Sequence, residues 1–135
     1  MRRGLLAFVL ASALACGGGE LEPTNPQVVS IVGTWSATTL NGLALPAPGA
    51  VSPEIPSATI TASVLTISDG HTRWSRTVTY AVDGASQTRT DGGTMIRDGH
   101  GFVLSVGQYG GPGGLIRDAN TLDVLDLPNQ WVYTR

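Results

Sequence analysis

Two histidines, a pair of aspartates, one strand serine and one glycine-rich loop are the residues of this chain whose types could do chemistry. His71 and His100 each follow an Asp-Gly pair, Asp69-Gly70 and Asp98-Gly99, and imidazole with carboxylate is the donor set that zinc takes. Their spacing specifies no metal. Each pair stands where a turn is expected, and the turn already explains the Asp and the Gly. Ser105, in Leu104-Ser105-Val106-Gly107, lacks the G-x-S-x-G elbow of a nucleophilic serine. The run from Tyr109 to Gly114 is rich in glycine but has neither the Lys nor the Ser/Thr of a phosphate loop. Asp123 and Asp126 lie too close to polar turns to read as an acid-base pair. The expectation is a protein with no catalytic set, no metal and no cofactor.

Cys16 is the only cysteine, so it has no intramolecular disulfide partner. It follows Arg2-Arg3 and an apolar run over residues 5–15, the layout of a secretory signal peptide. A run of eleven residues falls well short of the roughly 20 that a membrane-spanning helix needs. The stretch Ser12-Ala13-Leu14-Ala15-Cys16 resembles the lipobox of bacterial lipoproteins. That resemblance implies cleavage after residue 15, a diacylglycerol on the Cys16 thiol, and a protein held on the membrane of the cell envelope by its lipid anchor. Gly17 after the cysteine, rather than Asp, is compatible in that family with an outer membrane facing the periplasm. Ala13-Leu14-Ala15 also reads as an ordinary A-x-A cleavage site, which would release a free thiol. Residues 16–27, with Gly17-Gly18-Gly19 and then Pro23 and Pro26, form a tether.

These residues need elements to position them, and composition says which kind. There are 18 Gly and 8 Pro in 135 residues, and all eight basic residues are Arg. This is poor helix material and good material for short strands and tight turns. Charged residues are 13% and the net charge is -2, too weak a field to hold a nucleic acid backbone. Asn41-Gly42, Asp69-Gly70, Asp83-Gly84, Asp91-Gly92 and Asp98-Gly99 mark successive hairpins. Between them Thr72, Trp74, Arg76, Val78, Tyr80 and Val82 alternate with polar residues, the pattern of a half-buried strand. Strands are predicted at residues 28–40, 58–61, 64–68, 72–82, 86–91, 94–97, 101–107, 114–117, 121–126 and 130–134. A phase change near Ser63 predicts a turn or a bulge. Four prolines in 43–57 predict an irregular loop, with one short helix at most. Local links favour a single all-β domain over residues 28–135, an antiparallel up-and-down barrel of about eight to ten short strands, over a Greek-key sandwich.

Ile31-Val32-Gly33-Thr34-Trp35 on the first strand, Leu40-Asn41-Gly42, Asp69-Gly70 and the terminal Trp131-Val132-Tyr133-Thr134-Arg135 look like the small bacterial lipocalin-like domains, many of them lipoproteins. The resemblance implies that Trp35 plugs one end of the barrel and that a late arginine, Arg135 or Arg117, packs across it. It also implies non-covalent binding of a small apolar or amphipathic ligand, with Trp74, Tyr80, Phe102 and Leu104 facing it. A second small envelope fold, the META type, shares an early Trp and turn but mixes helix with sheet. The rival function is a structural or adaptor lipoprotein with a solid barrel, touching a protein partner through loops 43–57 and 107–114. A cavity separates the two.

Overall fold

The structure, a computed structural model, describes residues 29–135. The signal segment, Cys16 and the tether of residues 16–27 lie outside the described residues. Ten strands run in chain order: β1 (Gly33–Leu40), β2 (Leu43–Ala44), β3 (Ala47–Gly49), β4 (Ala58–Ser68), β5 (Arg73–Val82), β6 (Ala85–Asp98), β7 (Gly101–Ser105), β8 (Gly113–Asp118), β9 (Thr121–Asp126) and β10 (Asn129–Thr134). All pairings are antiparallel, and the sheet closes because β1 pairs with β10 on one side and with β4 on the other. Eight strands make the barrel. The short β2 and β3 lie outside it, on β1 and β4.

The hairpin signals act as their chemistry dictates at two type I′ positions: Asn41 and Gly42 have φ of 52° and 80°, and Asp83 and Gly84 have 51° and 79°. Asp91-Gly92 is different. Strands predicted at 86–91 and 94–97 are one continuous β6, with Gly92 and Gly93 registered opposite Ser75 and Trp74. A Cβ on Gly92 would lie 3.0 Å from the Trp74 carbonyl oxygen, and one on Gly93 would overlap the Ser105 carbonyl oxygen. These glycines serve close backbone approach where β6 begins to pair with β7, a role that shares its sequence signature with a turn.

Three further boundaries differ from expectation. The segments 58–61 and 64–68 are one strand, and the phase change is a bulge between Ile60 and Ala62. The segment 43–57, predicted as an irregular loop, contains β2, β3 and a bridge from Ser52 to Ile55. The only helical turn among the described residues is 3₁₀, at Asp69–His71. The first strand starts at Gly33 rather than residue 28. Residues 29–32 instead cross the end of the barrel, which we call the base. The Ile31 N–H donates to His71 Nε2 at 3.0 Å, and Arg97 Nη1 donates to the Val29 carbonyl at 2.7 Å. Arg135 donates to the carbonyls of Ser30, Val32 and Ala119 at 2.8, 3.0 and 2.9 Å. Backbone that would otherwise lack partners is thus capped by side chains from three different hairpins.

Above this cap the interior is filled by Trp35, Leu65, Ile67, Leu104, Leu122 and Tyr133, all buried. Each large apolar side chain removed from water in this way contributes about 1.5–3 kcal/mol. At the opposite end, the mouth, the walls are uneven. β6 pairs with β7 only from Thr94 to Asp98, so residues 85–93 rise above the rim paired on the β5 side alone. The rest of the mouth is built by residues 50–56, by the loop 106–112 and by the two-residue turn Leu127-Pro128, which has a cis peptide bond.

Candidate functional site

An open cleft of about 460 Å³ lies at this mouth, above the packed interior. Its volume falls within the range that holds a small organic molecule. Its apolar lining is Val51, Pro53, Pro56, Val106, Leu127 and Pro128, all from loops and turns at the mouth, and its charged lining is Arg76, Arg89, Asp91 and Asp126. Strand alternation accounts for the charged residues on β5 and β6. Arg76 on β5 and Asp91 on β6 are direct cross-strand partners, so both side chains leave the sheet on the inner face. Asp126 is the last residue of β9 before the turn.

Arg76 is the anchor of this arrangement. It stands in the apolar phase of β5 between Trp74 and Val78 and is only 7% exposed. Its Nη2 donates to Asp126 Oδ2 at 2.7 Å and lies 3.8 Å from Asp91, which in turn pairs with Arg89 at 3.3 Å. Its guanidinium carbon is 5.9 Å from the centre of the Trp131 ring. Burial works against the charge, but the Tyr133 hydroxyl, Asp126 and Asp91 outweigh it and hold the guanidinium pKa above its ordinary value. Arg76 Nε and Nη1 are buried without a hydrogen-bond partner, and so is Trp131 Nε1. Native interiors contain few such groups, each costing about 1–3 kcal/mol.

Two neighbours fix the floor. Asn129 is buried and clamps residue 50 to the start of β10, donating to the Ala50 carbonyl at 2.6 Å and accepting from the Ala50 N–H at 3.3 Å. The Tyr133 hydroxyl lies 2.7 Å from Ser63 Oγ in the interior. Burial pushes the Tyr133 pKa up, against the opposing pull of Arg76 and Ser63. The folded state therefore favours the neutral phenol. That contribution is whole below the ordinary tyrosine value of about 10 and is lost as pH rises through the higher folded-state value. Thermal denaturation followed across this alkaline range should show stability falling. Tyr133→Phe should remove that component of the slope, at a cost of about 1 kcal/mol near neutrality for the Ser63 hydroxyl left without its partner.

Among the residues singled out from sequence, Trp74 lines the cleft and donates from Nε1 to the Ser105 carbonyl at 3.2 Å. Tyr80, Phe102 and Leu104 are buried and do not line it. Tyr80 donates to Gln87 at 3.3 Å, and the Phe102 ring covers Gly114, whose Cβ position it overlaps. At the base, Trp35 is fully buried, donates from Nε1 to the Ile31 carbonyl at 2.9 Å, and carries the Arg135 guanidinium 4.4 Å from its ring centre. Arg117 is not at this base stack but pairs with Asp123 on the outer surface. Asp123 and Asp126 therefore belong to different faces. His71 holds the base, far from the mouth, and no group of three or more metal-ligating side chains occurs among the described residues. Arg76, Arg89, Asp91 and Asn129 are site residues that the functional reading of the sequence passed over. The available signal was an arginine in the apolar phase of a half-buried strand. Comparison with protein-family models, with curated proteins and with solved structures returns no match for this chain.

Proposed function

We propose that this chain is an exported lipoprotein, tethered to the bacterial cell envelope through an acylated Cys16, whose barrel binds a small amphipathic molecule at its mouth without transforming it. The observation that carries the reading is the cleft of about 460 Å³, lined by both apolar and charged side chains, above a packed barrel core. The ligand would sit on the rim of the barrel rather than deep within it, since the interior below Arg76 is already filled by buried side chains. His71, between β4 and β5, and His100, between β6 and β7, both stand at the base end away from the mouth, which supports binding without catalysis.

Native mass spectrometry of the full-length protein taken from its own membranes tests this reading. The expected spectrum shows an acyl mass on Cys16 and a second, dissociable small molecule. Val106→Trp, which adds bulk at a partly exposed position of the cleft wall, should lose the second mass and keep the first. An unmodified thiol would remove the anchor from the proposal, and the absence of any bound molecule would remove the carrier role. The adaptor reading would then gain ground, favoured by Tyr109 and Leu127, each 81% exposed beside the mouth.

A further inference from the structure

We infer that the polar end of the molecule held in this cleft is an anion, a carboxylate or a phosphate monoester, received by Arg76 in exchange for Asp126. The inference rests on the cleft reading and adds the chemical class of the ligand. Its starting point is an imbalance of hydrogen-bonding groups. Arg76 is 93% buried by its 7% exposure, lines the cleft, and uses only Nη2; Nε, Nη1 and the adjacent Trp131 Nε1 are donors without acceptors. The neighbouring Tyr133 hydroxyl is shared with Ser63 Oγ at 2.7 Å, so donors still outnumber acceptors here. A ligand completing this set brings acceptor oxygens and no donors, which describes an ionised acid better than an alcohol or an amine.

Charge accounting points the same way. Arg76 and Arg89 face Asp91 and Asp126, so the cluster is neutral as it stands. Adding an anion to a neutral buried cluster would be unfavourable, but exchanging one carboxylate for another is not. Asp126 is suited to leave. Its side chain is 36% exposed and stands at the end of β9 beside the exposed Leu127, so it needs only to turn toward water. Arg76 is fixed on β5 among Trp74, Val78 and Trp131 and stays in place. The exchange leaves the number of buried ion pairs unchanged and sets the new oxygens on Nη2, next to the idle Nη1 of the same guanidinium. The apolar lining of the same cleft, Val51, Pro53, Val106 and Leu127 among it, receives the hydrocarbon body.

The test is isothermal titration calorimetry of the folded protein near neutral pH with four probes of equal chain length: octanoate, octyl phosphate, octanol and octylammonium. Octanoate or octyl phosphate should bind at least tenfold tighter than the alcohol and the amine. Preference between the two anions tells a free carboxylic acid from a phosphate headgroup as the source. Asp126→Asn removes the internal competitor and should tighten anion binding about tenfold, whereas Arg76→Met should weaken it at least tenfold. The gain on Asp126→Asn is the reading that a merely structural ion pair would not give, and it stands even where Arg76→Met does not fold. Equal binding of octanol and octanoate would overturn the anion inference and leave the cleft reading intact. Unchanged anion affinity in Asp126→Asn would overturn the exchange. No binding of any probe would overturn both readings for this class of molecule.

Discussion

Trp35→Ala is expected to destabilise the barrel by about 4 kcal/mol, the range of a large aromatic deleted from a packed core. Trp35 has no exposed surface, and its loss strips three interactions at once. The indole volume leaves a hole between β1 and the interior face of the barrel. The Ile31 carbonyl loses its donor at 2.9 Å. The Arg135 guanidinium, stacked 4.4 Å from the ring centre, loses the surface that orients it toward the carbonyls of Ser30, Val32 and Ala119. Since a domain of this size has about 5–15 kcal/mol in total, the variant should be near the limit of folding. Urea titration should show a lowered midpoint with an unchanged slope. Arg135→Met, which removes exposed hydrogen bonds but keeps an apolar stem over the indole, should cost only about 1 kcal/mol. If Trp35→Ala cost no more than Arg135→Met, the plug at the base would not be part of the core.

The second large effect is expected at Gly93→Ala, about 3 kcal/mol from a single added methyl. The new Cβ would overlap the Ser105 carbonyl oxygen and stand 3.3 Å from the Trp74 indole nitrogen. Neither neighbour is the free end of a flexible side chain. Ser105 is held across the ladder by Thr94, and Trp74 is buried with its N–H on that same carbonyl. The clash must be relieved by spreading β6 from β7, at the point where the barrel wall closes below the mouth. Gly84→Ala provides the contrast: a Cβ there meets nothing within 4 Å, and the cost is confined to a φ of 79°, about 1 kcal/mol. Amide hydrogen exchange should show protection lost along 101–105 in Gly93→Ala and retained in Gly84→Ala. Equal exchange in the two would mean that the close approach of Gly93 does not hold the wall together.

Strand positions were legible because they depend on nearest neighbours. The alternation in 72–82 fixed which side chains of β5 share a face, and Phe102 with Leu104 did the same for β7. Asn41-Gly42 and Asp83-Gly84 announced two turns because only a few residue types accept positive φ at both positions. The same dipeptide misled at Asp91-Gly92. Glycine answers two different steric needs, a left-handed backbone and room for a neighbouring strand, and only the second applies there. The early end of β1 escaped notice for a related reason. Ile31 and Val32 have strand-like character, but their backbone partners are the side chains of His71 and Arg135, 40 and 103 positions away.

The site divides along the same line. Trp74 lines the cleft and belonged to the inward phase that local alternation defines. Phe102 and Leu104 share that phase yet fill the core, because depth along the barrel axis separates packing positions from lining positions. That depth is set by the shear between strands. Arg76 shows the division within a single residue. The sequence by itself determined an all-β chain of alternating strands and Gly-marked hairpins, and it placed Arg76 on the apolar side of one of them, since side-chain direction in a strand obeys a two-residue period. Only the tertiary structure decided that Asp91 and Asp126 meet that arginine, that Trp131 lies beside it, and that the wall above it stays open. Those contacts join residues 15 to 55 positions apart, and their distances depend on how eight strands close into a ring rather than on any local preference.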